Sequence, residues 1–155
     1  MRILFVTRKF PPRIGGMEEF SYQLTRHLTC EKKILSFSGS QLNLVWFFPY
    51  ALVYALFHGR KYDVVHLGDG VLCGIGWAVK HIYRKPVVIT MHGLDVSYPN
   101  PLYRLYLRLF FRPSVAVCVS SYTSSLVKKF HPDVRTEVIP NGISSEDQKQ
   151  YSAEE

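Results

Sequence analysis

MRILFVTRKFPPRIGGMEEFSYQLTRHL, residues 1–28, holds the reading that decides the fold. Residues 3–6 are a short apolar run of the kind that forms a buried strand. A Pro- and Gly-bearing loop follows and ends at Gly15-Gly16. Met17, Phe20, Leu24 and Leu28 then recur at helical spacing, which predicts a helix over 17–28 with those residues on its inner face. Strand, glycine loop, helix is a unit whose backbone N–H groups face an anion. The two glycines permit positive φ and close backbone approach, and an ordinary tight turn is the plainer alternative. The dinucleotide spacing G-x-G-x-x-G is absent, no acidic residue follows the second strand, and the phosphate-loop pattern G-x-x-x-x-G-K-[ST] is missing. A nicotinamide cofactor is therefore not expected.

The same rhythm continues along the chain. Further strands are predicted at 34–37, 63–67, 87–90, 115–119 and 137–139. Helices are predicted at 41–57, 72–83, 102–111 and 121–130. VVIT and VAVCV are continuous apolar runs, which suit strands covered on both faces. Strands alternating with helices give an α/β fold with a doubly wound parallel sheet, in which ligands sit beyond the carboxyl ends of the strands. Residues 1–143 form one domain on this reading. Residues 144–155 (SSEDQKQYSAEE) are a polar tail or the start of a linker.

Bulk composition sets limits. With 155 residues, 47% hydrophobic and 20% charged, the chain is globular rather than disordered. A formal net charge of +7 points to an anionic partner. Three cysteines, Cys30, Cys73 and Cys118, are odd in number and widely spaced. They fit neither a disulfide framework nor a zinc site. No signal peptide is visible. Residues 34–59 contain no Asp, Glu, Lys or Arg. Residues 44–57 (LVWFFPYALVYALF) are nearly all apolar, yet too short and too interrupted by Pro49 for a span. A buried or groove-lining helix is the leading reading there, and an interfacial membrane contact the next.

The strand ends carry the functional question. His66 follows the third strand's apolar core and reads as a satisfied core histidine; Asp69 reads as a cap for the next helix. Met91-His92-Gly93-Leu94-Asp95 follows the fourth strand. His92 there is placed to meet substrate, to donate to a sugar hydroxyl or to stabilise developing charge; a turn histidine held by backbone is the alternative. Asp95 orients His92, binds a hydroxyl, or caps a turn. Asn141-Gly142 after the last strand is a common turn signal. Ser120-Ser121 reads as the cap of the 121–130 helix. No motif supports a metal.

Taken in order, RILFVTRKFPPRIGGMEEFSYQLTRHL, DVVHLGDG, PVVITMHGLD, CVSSYTSSLVKKF and VIPNGI resemble the N-terminal half of a GT-B glycosyltransferase, and most closely the retaining glycosyltransferase family 4 group. The resemblance covers residues 1–143. It implies a Rossmann-like domain with helices on both faces, one of two facing a cleft. It implies that this half binds the acceptor, a glycan or a lipid-linked glycan. The other half would bind a nucleotide-sugar donor such as a UDP- or GDP-sugar, and no cofactor or metal is implied. His92 would lie beside the transferred sugar. Gly15 and Gly16 would lie against the donor diphosphate or the acceptor, with Gly93 and Asp95 nearby. Asn141 and Gly142 would mark the approach to the interdomain linker. A donor-binding domain, in cis or in trans, is expected to be needed for transfer.

Residues 96–132 contain no Asp or Glu. Arg104, Arg108 and Arg112 recur every four positions, which predicts a basic stripe on one helix flank, and Lys128 and Lys129 add charge. An anionic membrane surface fits this pattern; a core helix with snorkelling arginines fits it too. The expected location is the cytoplasm, peripherally at the inner face of the plasma membrane. Nucleic acid fits less well, since no recognised motif accompanies the charge. Two alternatives stand beside the transferase reading: a non-catalytic membrane subunit that recruits a donor-binding partner, and a small nucleotide-binding protein.

Overall fold

The computed structural model describes residues 1–37 and 44–140, and the structural statements below concern those residues. Six strands alternate with helices: β1 (Arg2–Thr7), α1 (Gly16–His27), β2 (Glu31–Ser36), α2 (Leu44–His58), β3 (Val64–Leu67), α3 (Cys73–Tyr83), β4 (Val87–Met91), α4 (Gly93–Ser97), α5 (Pro101–Phe110), β5 (Val115–Cys118), α6 (Ser121–Phe130) and β6 (Thr136–Val138). The strands form one parallel sheet in the order β2-β1-β3-β4-β5-β6. This is the Rossmann-like α/β architecture with helices on both faces. The chain steps from β1 to β2 on one side, then places β3 on the other side of β1. The switch point therefore lies above the carboxyl ends of β1 and β3.

Leu4, Val6, Val65, Leu67, Ile89, Met91 and Cys118 alternate onto one face and join a single core with Phe47, Ala51, Ile75, Leu107 and Val127 of α2, α3, α5 and α6. Thr7, on the other face, meets α1 through its hydroxyl, 3.4 Å from that of Ser21. The buried side of α1 is Glu18, Ser21 and Thr25, whereas Met17, Phe20, Leu24 and Leu28 are half-buried. The predicted apolar face is thus displaced, because small hydroxyl side chains let the helix sit close to the sheet. Val64, His66, Val88, Val115 and Val117 are also only half-buried, so β3–β5 are not fully covered on both faces as their apolar runs predicted.

Pro49 lies inside α2 without ending it. The carbonyl that loses its partner belongs to Val45, an exposed residue in the first turn. Helix α5 starts at Asn100, whose side-chain oxygen accepts from Leu102 N (2.9 Å) and Tyr103 N (3.1 Å), with Pro101 at the first helical position. It stops at Phe110. Arg112 precedes Pro113, a placement that disfavours helical backbone, so Arg112 lies beyond the helix and the three-arginine stripe is broken. Residues 41–43 of the predicted second helix, Asn141, Gly142 and the 144–155 tail lie outside the described residues.

Candidate functional site

Five loops and helix starts meet above the switch point. Leaving β1, Arg8 directs its Nε to Asp69 Oδ2 at 2.8 Å. Asp69, leaving β3, is 0% exposed. Its other oxygen accepts from Val71 N at 3.0 Å and caps a 3-10 turn at Gly70–Leu72. Burial raises the Asp69 carboxyl from 3.8 to about 6; Arg8 opposes the rise, and the Asp95 charge adds to it. Gly68 permits this geometry. A Cβ there would lie 2.5 Å from Thr7 Oγ1 and 3.3 Å from Thr7 Cα, so β1 and the β3 turn touch backbone to backbone.

Leaving β4, His92 is 7% exposed. Its backbone N donates to Asp95 Oδ2 at 2.9 Å, so Asp95, itself buried, fixes the start of α4. Burial raises the Asp95 carboxyl as well. The His92 ring lies edge-on to Phe20 of α1 at 5.7 Å. Its Nε2 is buried and has no partner. Burial lowers the His92 pKa, while the Asp69 charge and the Gly68 carbonyl oppose that. The imidazole is therefore neutral at pH 7. The second unpartnered buried group among the described residues is Tyr103 Oη of α5. It stands 3.1 Å from where a Cβ on Gly70 would lie, with Asp95 Cβ beside the same point.

Gly15 and Gly16 open α1 as expected, by a different device. Gly15 has φ 169°, which is extended backbone, and no described glycine has a φ in the left-handed region. An added Cβ at Gly15 would first meet the flexible tip of Glu18, its Oε2 at 2.5 Å. The buried Glu18 carboxylate lies over the helix N-terminus and pairs with Lys9 Nζ at 3.4 Å. The chain's own carboxylate thus lies beside the start of that helix, while Gly16 faces open space. Gly93 meets only Thr123 Oγ1, at 3.9 Å.

The remaining polar residues are placed as follows. His66 Nε2 bonds Thr90 Oγ1 at 2.9 Å, its ring packs on Phe5, and burial holds its pKa down to about 4, as a core histidine. Ser120 Oγ accepts from Thr123 N at 3.1 Å and caps α6. All three cysteines are free. No cluster of described residues suits a metal ion. Arg104 and Arg108 lie over the Phe130 ring, at 5.6 and 5.9 Å from its centre. Both arginines are exposed, and Leu102, Leu105 and Leu109 form an exposed apolar stripe beside them.

His92, Asp95, Gly15, Gly16 and Gly93, expected beyond the carboxyl ends of the strands, stand on the segments that follow β1 and β4, where Asp95 Oδ2 accepts from His92 N. The sequence did not single out Arg8, Glu18 or Tyr103. Arg8 carried a usable signal: opposite charges directly after β1 and β3, the strands flanking the switch point.

A doubly wound parallel sheet with a buried polar cluster at its switch point defines a ligand-binding Rossmann-like domain. The model of Glycosyltransferase Family 4 matches residues 29–147, well over half of the chain. The chain belongs to that family. Among solved structures it is similar to Anabaena Alr3699/HepE in complex with UDP and glucose, at 16% identity and a TM-score of 0.59 over 99% of this chain and 50% of that one. The same Anabaena protein with UDP matches at 18% identity and a TM-score of 0.56, covering 99% and 50%. With UDP-glucose it matches at 15% and 0.56, covering 99% and 49%. The likeness is one of fold, that of one half of a GT-B glycosyltransferase. The chain spans about half the length of these structures. No curated protein matches it.

Proposed function

We propose that this chain is the acceptor-side domain of a retaining, nucleotide-sugar-dependent glycosyltransferase that modifies a glycan or lipid-linked acceptor at a membrane surface. The observation that carries the reading is His92 Nε2, buried and unpartnered at the switch point. An unsatisfied buried polar atom costs about 1–3 kcal/mol, and a sugar hydroxyl, both donor and acceptor, is a ligand that satisfies it. Asp95 holds the backbone of His92 in place. Arg8 and Lys9 supply positive potential beside it, each already paired with one carboxylate. Phe20 offers an apolar face of the kind that packs on a sugar ring. The bound UDP and UDP-glucose of the Anabaena structures favour a UDP-sugar donor, held by a second domain in cis or in trans. Gly16 gives a diphosphate an open approach to α1 once Glu18 yields Lys9.

The helical layer favours the membrane. Helices α2, α3, α5 and α6 contain no Asp or Glu. On α2, Trp46 (74%), Tyr50, Val53 and Phe57 face outward, and on α5 Leu102 (76%), Leu105 and Leu109 do so. Arg104, Arg108, Lys128 and Lys129 flank that apolar surface and are exposed. No described helix is long and apolar enough to cross a membrane, so the contact is an interfacial one.

The test is transfer of radiolabel from UDP- and GDP-sugars to glycans or lipids in membranes from the protein's own cells. Label entering the lipid or glycan fraction, dependent on the native protein, is the expected result. No transfer with any donor, while a separate donor-binding protein co-purifies, would favour the recruiting-subunit alternative. No transfer and no such partner would overturn both.

A further inference from the structure

The far end of the sheet holds a second site. An open cavity of about 490 Å³ is lined by Trp77, Lys80, His81 and Arg84 of α3 and its C-terminal residue, with Arg112 opposite. Positions 77, 80, 81 and 84 follow one face of the helix. Lys80 Nζ donates to the carbonyls of Arg112 (3.0 Å) and Pro113 (3.2 Å), tying the segment before β5 to α3. Its charge meets carbonyl dipoles only. Arg112 Nη1 donates to the Phe111 carbonyl, 3.0 Å away, and lies 3.3 Å from His131 Nδ1. Among the described residues, none of these three cations pairs with a carboxylate. His81 Nδ1 donates to the Trp77 carbonyl at 2.7 Å, and its ring packs on Trp77 at 4.4 Å. Trp77 is braced in turn by Phe110.

Cations near a helix C-terminus serve the helix dipole, and that accounts for Lys80. It does not account for Arg112, nor for the backbone that Arg84 adopts. Arg112 belongs to another element. Arg84 is the single non-glycine residue with positive φ among those described (φ 54°, ψ 30°). That position closes a helix best with glycine or asparagine, and an arginine there holds unfavourable backbone. Residues kept in such conformations gather at ligand clamps.

We propose that this cavity is a phosphate-binding site. Two guanidinium groups and an ammonium around an uncompensated cavity match a phosphate monoester or diester, which arginine binds through paired N–H donors. The Trp77 wall and the exposed Ile82 leave room for an organic substituent. The phosphate is either a lipid headgroup or a soluble phosphate compound. The site is remote from the His92 end of the sheet, and its test involves no sugar transfer.

The chain has two tryptophans, so Trp46→Phe leaves Trp77 as the only one. In that background, Trp77 fluorescence is titrated with inorganic phosphate and with chloride at matched ionic strength. Vesicles of phosphatidylcholine, with and without phosphatidylglycerol, follow. A saturable response to phosphate and none to chloride is expected. Arg84→Gly should raise the phosphate midpoint at least tenfold while raising Tm, since it relieves the backbone. A merely structural arginine would not give that opposed pair of effects. Lys33→Ala, which removes an exposed charge on β2, should change neither. A matching response to phosphatidylglycerol vesicles that phosphate competes away identifies a lipid headgroup; response to phosphate alone identifies a soluble ligand. Identical phosphate and chloride titrations, or wild-type phosphate affinity in both Arg84→Gly and Arg112→Ala, would overturn the proposal.

Discussion

Replacing Arg8 with methionine removes the cation from a buried carboxyl and keeps the apolar stem. Asp69 is completely buried and sits at about 6 with Arg8 in place, against an ordinary 3.8. Its folded pKa is raised, so the folded chain binds more protons than the unfolded one between these values. Stability therefore falls as pH rises through that window. Without Arg8 the carboxyl moves higher still and is protonated at pH 7. Carrying that proton from pH 6 to pH 7 costs about 1.4 kcal/mol. Loss of the 2.8 Å guanidinium bond adds about 1 kcal/mol. The variant should lose about 2–3 kcal/mol at pH 7. At pH 5 the carboxyl is protonated in both proteins, so the loss should shrink to about 1 kcal/mol. Urea unfolding at the two pH values measures this. Equal losses at both would refute the claim that Arg8 keeps a buried Asp69 ionised.

Gly68→Ala forces a methyl against the Thr7 backbone; chemical denaturation should show a loss of about 1–3 kcal/mol, and unchanged stability would mean that β1 and the β3 turn are not in close contact. Leu105→Asp with Leu109→Asp changes the exposed stripe of α5 without touching the core. Sedimentation with anionic vesicles should drop at least tenfold while Tm stays within a few degrees, and unaltered binding would remove α5 from the membrane contact. Proton NMR of the first-formed product should show the anomeric configuration of the donor; an inverted product would end the retaining assignment.

The sheet was legible because parallel strands need apolar runs and each of these is bounded by Gly, Pro or a capping residue. Asp69, Asp95 and Ser120 were readable as caps for the same local reason. The α1 face was misplaced because Ser21 and Thr25 are buried for their size rather than their hydrophobicity. Arg112 left its helix because Pro113 constrains the preceding backbone, a local rule that the four-residue spacing obscured. The α4 turn at Gly93–Ser97 is too short for periodicity to show. Arg8 and Glu18 escaped notice because their significance lies in pairing across the loops, with Asp69 61 residues away and Lys9 at the head of the glycine loop. The cavity at Arg84 had no sequence signal, since a left-handed arginine looks like any surface arginine until the backbone is seen.

The most direct test of the central claim compares His92→Ala and His92→Gln with the wild type in the radiolabel transfer assay, with Tm measured alongside. The account predicts that His92→Ala lowers kcat at least a hundredfold with the fold intact, and that His92→Gln, which keeps a hydrogen-bonding group, recovers part of it. Wild-type turnover by a folded His92→Ala protein would contradict it.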